Sequence, residues 1–270
     1  MRSSLIHCCA FVAIVFAGSI ARAADPAPPA TTVRVLLVGD STMAPRNGYG
    51  DALCRRFVAG VECLNLAKNG RSSGSYRAEG SWGQVMDLLR EPSKGRTTFV
   101  LIQFGHNDQP GKPGRSTDLV REFPVNLARY ADEVASLGAV PVLVTPLTRR
   151  SFRGSELQND LQAWADTTTR VAREKHIALL DLHAESFAAV AAMGSVEADT
   201  LAMEPPPASP AANKPEDRAK TETTAPPVSK FDHTHLGEKG ADFFSAMVAR
   251  LLARAVPDLA AKFAPYKAGK

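Results

Sequence analysis

The chain has 270 residues, 44% of them apolar and 22% charged, which fits one domain with a conventional core and excludes a disordered or fibrous chain. Its formal charge of +4 arises from 32 basic and 28 acidic residues with no long run of either sign, which argues against nucleic acid as an obligate partner. Four Cys are too few for disulfides to take the place of a core.

Residues 1–23 combine Arg2, an apolar stretch over 10–20 and the small-residue site Ala21-Arg22-Ala23, the layout of a secretory signal cleaved after Ala23. The stretch is about half the roughly 20 apolar residues that span a bilayer, so no membrane span is expected. Cys8 precedes that stretch, which is the wrong place for a lipoprotein site. Loss of Arg2 and Arg22 lowers the net charge from +4 to +2 and leaves Cys54 and Cys63 as the remaining cysteines. In an oxidising compartment these two form a candidate disulfide between a helix end and the next strand; two buried free thiols are the alternative.

A Pro-rich lead over 24–32 is followed by Val33-Arg34-Val35-Leu36-Leu37-Val38 and Gly39, the pattern of a buried strand. Similar runs recur over 61–66, 98–104, 140–145 and 177–182, separated by segments of helical character. A helix is expected from Ser155, where Ser-Glu-Leu-Gln reads as a capping box, with Leu157, Leu161, Trp164, Ala165, Thr168, Val171 and Ala172 on its apolar face. Another is expected over 238–254. Five apolar strands alternating with helices imply a parallel sheet covered on both faces, a three-layer doubly wound α/β fold. Residues 196–229, with seven Pro among Ala, Thr, Lys and Glu, read as a disordered insertion, and 257–270 as a C-terminal tail.

Ligands of such sheets bind beyond the carboxyl ends of the strands. There the first strand presents Gly39-Asp40-Ser41-Thr42, making Ser41 a candidate nucleophile, although Gly-Asp-Ser also starts helices, and Asp40 reads as a backbone cap. After the second strand, Asn69-Gly70-Arg71-Ser72-Ser73-Gly74 offers backbone N–H groups in a tight loop. The third ends in Gly105-His106-Asn107-Asp108, whose amide is a candidate oxyanion donor or an ordinary Asx-turn. In Asp232-His233-Thr234-His235, a turn would let Asp232 fix the tautomer of His235 that accepts a proton from Ser41. A metal reading of Asp232, His233 and His235 lacks support from a second cluster of ligating residues.

Together, Val38-Gly39-Asp40-Ser41-Thr42-Met43-Ala44, Ala67-Lys68-Asn69-Gly70-Arg71-Ser72-Ser73, Gln103-Phe104-Gly105-His106-Asn107-Asp108 and Asp232-His233-Thr234-His235 resemble the four ordered blocks of the SGNH, or GDSL-type, hydrolases, and more closely their rhamnogalacturonan acetylesterase branch. The resemblance spans about 33–256 and implies a flavodoxin-like sheet. It implies Ser41 as nucleophile, His235 as general base and Asp232 as its orienting acid, with the Ser41 N–H, Gly70 and Asn107 forming the oxyanion hole. His106 and His233 are expected to shape the site, and Asp108 to brace a loop.

The implied reaction removes acetyl groups from a pectic polysaccharide or its oligosaccharides, without cofactor or metal, in the periplasm or outside the cell. Arg71, Arg77, Lys112 and Arg115 are candidates for binding uronate carboxylates; solvated loop charge is the alternative. Deacetylation of xylan or a surface polysaccharide is the alternative within the class. A GDSL lipase and a non-catalytic exported carbohydrate-binding protein stand further off, the last because Ser41, Asp232 and His235 are all present.

Overall fold

The computed structural model describes residues 33–93, 95–204 and 231–264. The expected signal segment, the Pro-rich lead and most of the expected insertion lie outside the described residues.

The chain runs β1 (Val33–Gly39), α1 (Gly50–Cys54), β2 (Val61–Asn65), α2 (Ser75–Ala78), α3 (Ser81–Arg90) and β3 (Thr97–Gln103). There follow α4 (Phe123–Ser136), β4 (Val140–Val144), β5 (Phe152–Arg153), β6 (Glu156–Leu157) and α5 (Gln162–Glu174). The remainder is β7 (Ala178–Leu180), α6 (Leu182–Asp199), α7 (Glu238–Ala255) and α8 (Pro257–Ala260).

Five strands form one sheet in the order β2-β1-β3-β4-β7, every pair parallel. Successive side chains of a strand point to opposite faces. Val35 and Leu37 of β1, Phe99 and Leu101 of β3, and Val142 and Val144 of β4 therefore enter one core, beneath α1, α6 and α7. Leu36, Val38, Val100, Ile102 and Leu143 enter the other, beneath α3, α4 and α5, where Trp82, Tyr130 and Trp164 fill the space. Burial on both faces explains why these strands read as unbroken apolar runs, each large side chain contributing roughly 1.5–3 kcal/mol. Gly39 closes β1 where a Cβ would lie 2.6 Å from the Gln103 carbonyl oxygen, so only glycine lets the first and third strands approach there. Cys54 at the end of α1 is disulfide-bonded to Cys63 in β2.

Four boundaries differ from expectation. The expected helix at Ser155 is instead a β5–β6 hairpin whose tip, Gly154, has φ +62°, and α5 begins only at Gln162. The hairpin buries Leu157 independently, while Leu161, Trp164, Ala165, Thr168, Val171 and Ala172 are buried as read. The last strand is three residues long because the Asp181 carboxylate accepts from the Ala184 N–H and starts α6. Residues 196–199 belong to α6, and Leu201 and Ala202 are buried, so order extends past the expected start of the insertion. Part of the expected tail packs: Leu259 is buried, and Phe263 stacks on Phe57 with ring centroids 4.5 Å apart.

Candidate active site

Because β1 lies between β2 and β3, the turns after these three strands are neighbours at one edge of the sheet. The β1 turn is closed by Met43 and Ala44 N–H groups donating to the Asp40 carbonyl at 3.2 and 3.0 Å. Asp40 Oδ1 accepts from the Thr42 N–H at 2.9 Å and the Thr42 hydroxyl at 2.8 Å, which is the capping role read for it. Ser41 sits between them, 5% exposed. Behind it, Tyr49 donates to Gln103 Oε1 at 2.6 Å and Gln103 Nε2 donates to the Thr42 hydroxyl at 2.6 Å. These bonds tie the Ser41 turn through Asp40 Oδ1, Thr42 and Gln103 to Tyr49 and hold it in place.

Asp40 Oδ2 faces His106 Nδ1 at 3.3 Å, both side chains buried. Burial pushes the Asp40 carboxyl up, but the His106 ring and the two Thr42 bonds outweigh it and hold the group below the usual carboxylate range. His106 thereby links the Ser41 turn to the Asn107 turn. Its carbonyl accepts from Lys112 Nζ at 2.6 Å and from Arg149 Nη2 at 3.4 Å.

The Asn107 amide donates to the Arg71 carbonyl at 3.0 Å, one residue beyond Gly70, which leaves its second N–H uncommitted by that bond. Gly70 has φ +74°, a conformation that turns its N–H without the strain a Cβ would add. Neither the Ser41 nor the Gly70 N–H meets an acceptor among the described residues. Asp108 braces both loops as expected. Its Oδ1 accepts from the Ser73 N–H, the Ser73 hydroxyl and the Thr117 hydroxyl at 3.0, 2.6 and 2.9 Å, and its Oδ2 from the Gly105 N–H at 3.0 Å. Burial outweighs these donors and pushes its carboxyl up to about 6.

Asp232 and His235 meet. Asp232 Oδ2 accepts from His235 Nδ1 at 2.7 Å, and its Oδ1 accepts from the Thr234 and His235 N–H groups at 2.8 and 3.0 Å. Since a carboxylate only accepts, the imidazole proton lies on Nδ1 and Nε2 is the basic nitrogen. Partial burial pushes the Asp232 carboxyl up, but the bonds from His235 and Thr234 outweigh it and hold it low. The Leu236 N–H donates to the Asn47 carbonyl at 2.9 Å, which stitches this loop to the segment leading out of the Ser41 turn. His233 is turned away, its Nδ1 3.3 Å from Asp199 Oδ1.

The four expected carboxylate-binding cations separate. Arg71 pairs with Glu79 at 2.7 Å and donates to the Asn69 carbonyl at 2.8 Å. Arg77 pairs with Glu133 at 2.7 Å and lies over the Trp82 and Tyr130 rings, within the helical layer and not at the sheet edge. Lys112 turns onto the His106 carbonyl. Arg115 is exposed, with Nη1 3.3 Å from where a Gly70 Cβ would stand, and it borders a cavity of about 390 Å³ lined also by Ser75, Thr117, Glu122 and Asn126. A larger cleft of about 540 Å³ between α7 and α8 shares no residue with this site.

Sequence reading missed Gln103, Tyr49 and Arg150. Gln103 was legible as the one amide in an otherwise apolar strand end; Arg150 follows a strand but signals nothing about its partners. Among the described residues, no group of three or more His, Cys, Asp or Glu side chains is arranged to hold a metal ion, and no helix is long and apolar enough to cross a membrane.

The model of the GDSL-like lipase/acylhydrolase family matches residues 37–243. The chain is 31% identical over 235 residues to the rhamnogalacturonan acetylesterase RhgT of Bacillus subtilis, covering 84% of this chain and 90% of that protein. It is 26% identical over 225 residues to the probable rhamnogalacturonan acetylesterase YesY of Bacillus subtilis, with 80% and 90% covered. Among solved structures, protein YXIM of Bacillus subtilis superposes with a TM-score of 0.63 at 19% identity, covering 84% of this chain, which spans 57% of that structure. A catalytic mutant of Axe2, an acetylxylan esterase from Geobacillus stearothermophilus, superposes with a TM-score of 0.55 at 14% identity, with 84% and 94% covered, a likeness of fold.

Proposed function

The chain belongs to the GDSL-like lipase/acylhydrolase family, and from that premise we propose that it is an exported esterase removing acetyl groups from an acetylated pectic polysaccharide of the rhamnogalacturonan kind. The observation that carries the reading is the Asp232–His235 bond of 2.7 Å on a loop tied to the segment after Ser41.

In this reading the Ser41 hydroxyl attacks the acetyl carbon while His235 Nε2 takes its proton and Asp232 holds the resulting imidazolium. The Ser41 and Gly70 N–H groups and the Asn107 amide receive the negative charge of the tetrahedral intermediate, each donor worth about 3 kcal/mol. Collapse returns the proton to the departing sugar hydroxyl and leaves acetyl-Ser41. Water then attacks acetyl-Ser41 with His235 as base, and collapse expels the acetyl group as acetic acid, which ionises to acetate, while His235 hands its proton back to the Ser41 oxygen. The names of the two Bacillus relatives support the pectic substrate. The layout of residues 1–23 supports export, which suits a polymer too large to enter a cell. The carboxylates of that polymer are assigned to Arg115 beside Gly70, since Arg71, Arg77 and Lys112 already hold partners.

The test is released acetate from separately acetylated rhamnogalacturonan, homogalacturonan, xylan and a small aryl acetate, with Ser41→Ala alongside. Rhamnogalacturonan is expected to be the best polymer and Ser41→Ala inactive on all four. A serine-directed phosphonate should label Ser41 stoichiometrically. Equal rates on xylan overturn the pectic assignment, and labelling that survives Ser41→Ala overturns the nucleophile.

A further inference from the structure

We propose that Arg150 is the positioning residue that shapes the Asp232–His235 loop and sets its imidazole for proton transfer. The inference rests on the reading of those two residues as the orienting acid and base. Arg150 follows β4, and its side chain is fully buried at 0% exposure. Its backbone N–H donates to the His233 carbonyl at 2.9 Å. Nη2 donates to the Asp232 carbonyl at 3.1 Å and the His235 carbonyl at 2.9 Å, and Nη1 to the Thr234 carbonyl at 3.4 Å. One residue thus takes all four successive carbonyls of Asp232-His233-Thr234-His235.

Loop carbonyls ordinarily turn to water, because a buried backbone oxygen needs a partner. With these four drawn inward, the Thr234 and His235 N–H groups converge on Asp232 Oδ1, and the His235 ring is left lying against Oδ2. The requirement is for a planar fork of several donors, which arginine has and lysine lacks. Arg150 has no carboxylate within ion-pair distance among the described residues; the charges of Asp232 and Asp199 act on it only through space. A buried cation of that kind is expensive to keep, and a hydrophobic side chain of similar volume would pack at less cost. A hydrophobic replacement would keep the backbone bond to the His233 carbonyl but could not hold the Asp232, Thr234 and His235 carbonyls that the guanidinium takes.

The test compares Arg150→Ala, Arg150→Lys, His235→Ala and the double variant Arg150→Ala/His235→Ala on a small aryl acetate, with folding followed by circular dichroism. Misplacing a catalytic group by about 1 Å costs on the order of a hundredfold, so kcat of Arg150→Ala is expected to fall by about that factor with KM within about twofold of wild type. Guanidinium at a few tens of millimolar, well below denaturing levels, should restore kcat about tenfold in Arg150→Ala and leave wild type unchanged. The double variant should be no slower than His235→Ala, because no imidazole remains to be positioned. An Arg150→Ala protein with wild-type kcat, or one that slows His235→Ala by its own full factor, overturns the proposal. Should Arg150→Ala not fold, Arg150→Lys decides: a loss of kcat of at least about tenfold at constant KM upholds it, and wild-type kcat overturns it. Full activity in His235→Ala would instead overturn the dyad reading itself.

Discussion

Replacing Asp232 by Asn separates the two jobs that its carboxylate performs. Oδ1 closes the loop by accepting two N–H groups at 2.8 and 3.0 Å, and Oδ2 accepts the His235 ring proton at 2.7 Å. An Asn can still present its oxygen to the two backbone donors, exchanging charge-assisted bonds for neutral ones, so stability should fall by only about 1–2 kcal/mol. Its amide nitrogen then faces the ring. Two donors cannot meet, so the imidazole must move its proton to Nε2, where the base should be. The wrong tautomer in a serine triad lowers kcat by roughly ten-thousandfold, about 5.5 kcal/mol of barrier at about 1.36 kcal/mol per decade. The assay is kcat on an aryl acetate together with the rate of phosphonate labelling of Ser41, with urea unfolding as the control for folding. An Asp232→Asn protein that keeps more than about a tenth of wild-type kcat while remaining folded refutes the tautomer argument.

Asp108 should reveal itself in the pH dependence of stability. Its folded pKa of about 6 lies above the ordinary 3.8, so the folded form holds the proton more tightly. Its contribution is therefore present at acid pH and lost as pH rises from about 4 through about 6, by about 3 kcal/mol. Urea titrations at several pH values should show that loss in wild type and not in Asp108→Asn; parallel curves would refute it. Asp40 and Asp232, both held low, have the opposite sign: what they contribute is intact above the ordinary carboxylate range and is lost as pH falls through their folded values. Reducing the Cys54–Cys63 bridge should destabilise the fold by about 2–3 kcal/mol, the loop closed being short; an unchanged melting temperature in reductant would contradict this. Arg115→Gln should lower the ratio of kcat/KM on acetylated pectic polymer to that on aryl acetate several-fold, and added salt should shrink the difference; a ratio that does not move removes Arg115 from substrate binding.

The sheet was legible because doubly buried strands announce themselves as apolar runs, and the turns holding Ser41, Gly70 and Asn107 could be placed at its edge because each residue comes within five residues of a strand end. The start of α5 was not legible. Ser155-Glu-Leu-Gln satisfies the local rule for a helix cap, but Gly154 at φ +62° folds the segment into a hairpin first, and tertiary burial of Leu157 wins over the local signal. Arg77 looked like a substrate cation until the fold brought Glu133 to it from 56 residues away. Arg150 finds its carbonyl partners 82 to 85 residues downstream, and no local pattern encodes that meeting. Single-residue readings failed where the partner is remote, whereas the position of a turn at the sheet edge needs only the strand just before it.

The turns that would receive negative charge all arise from the first three strands, while the pair that would carry the proton comes on the far side of residues 205–230, at the head of α7. These two halves are joined by the packing of Phe244, Val248 and Leu252 of α7 in the core and by the Leu236–Asn47 bond. A chain severed between Glu204 and Phe231 would yield two pieces, each catalytically mute. Their reunion through α7 would be audible as returning ester cleavage, so the topology itself contains a split reporter of whether the outer layer has docked.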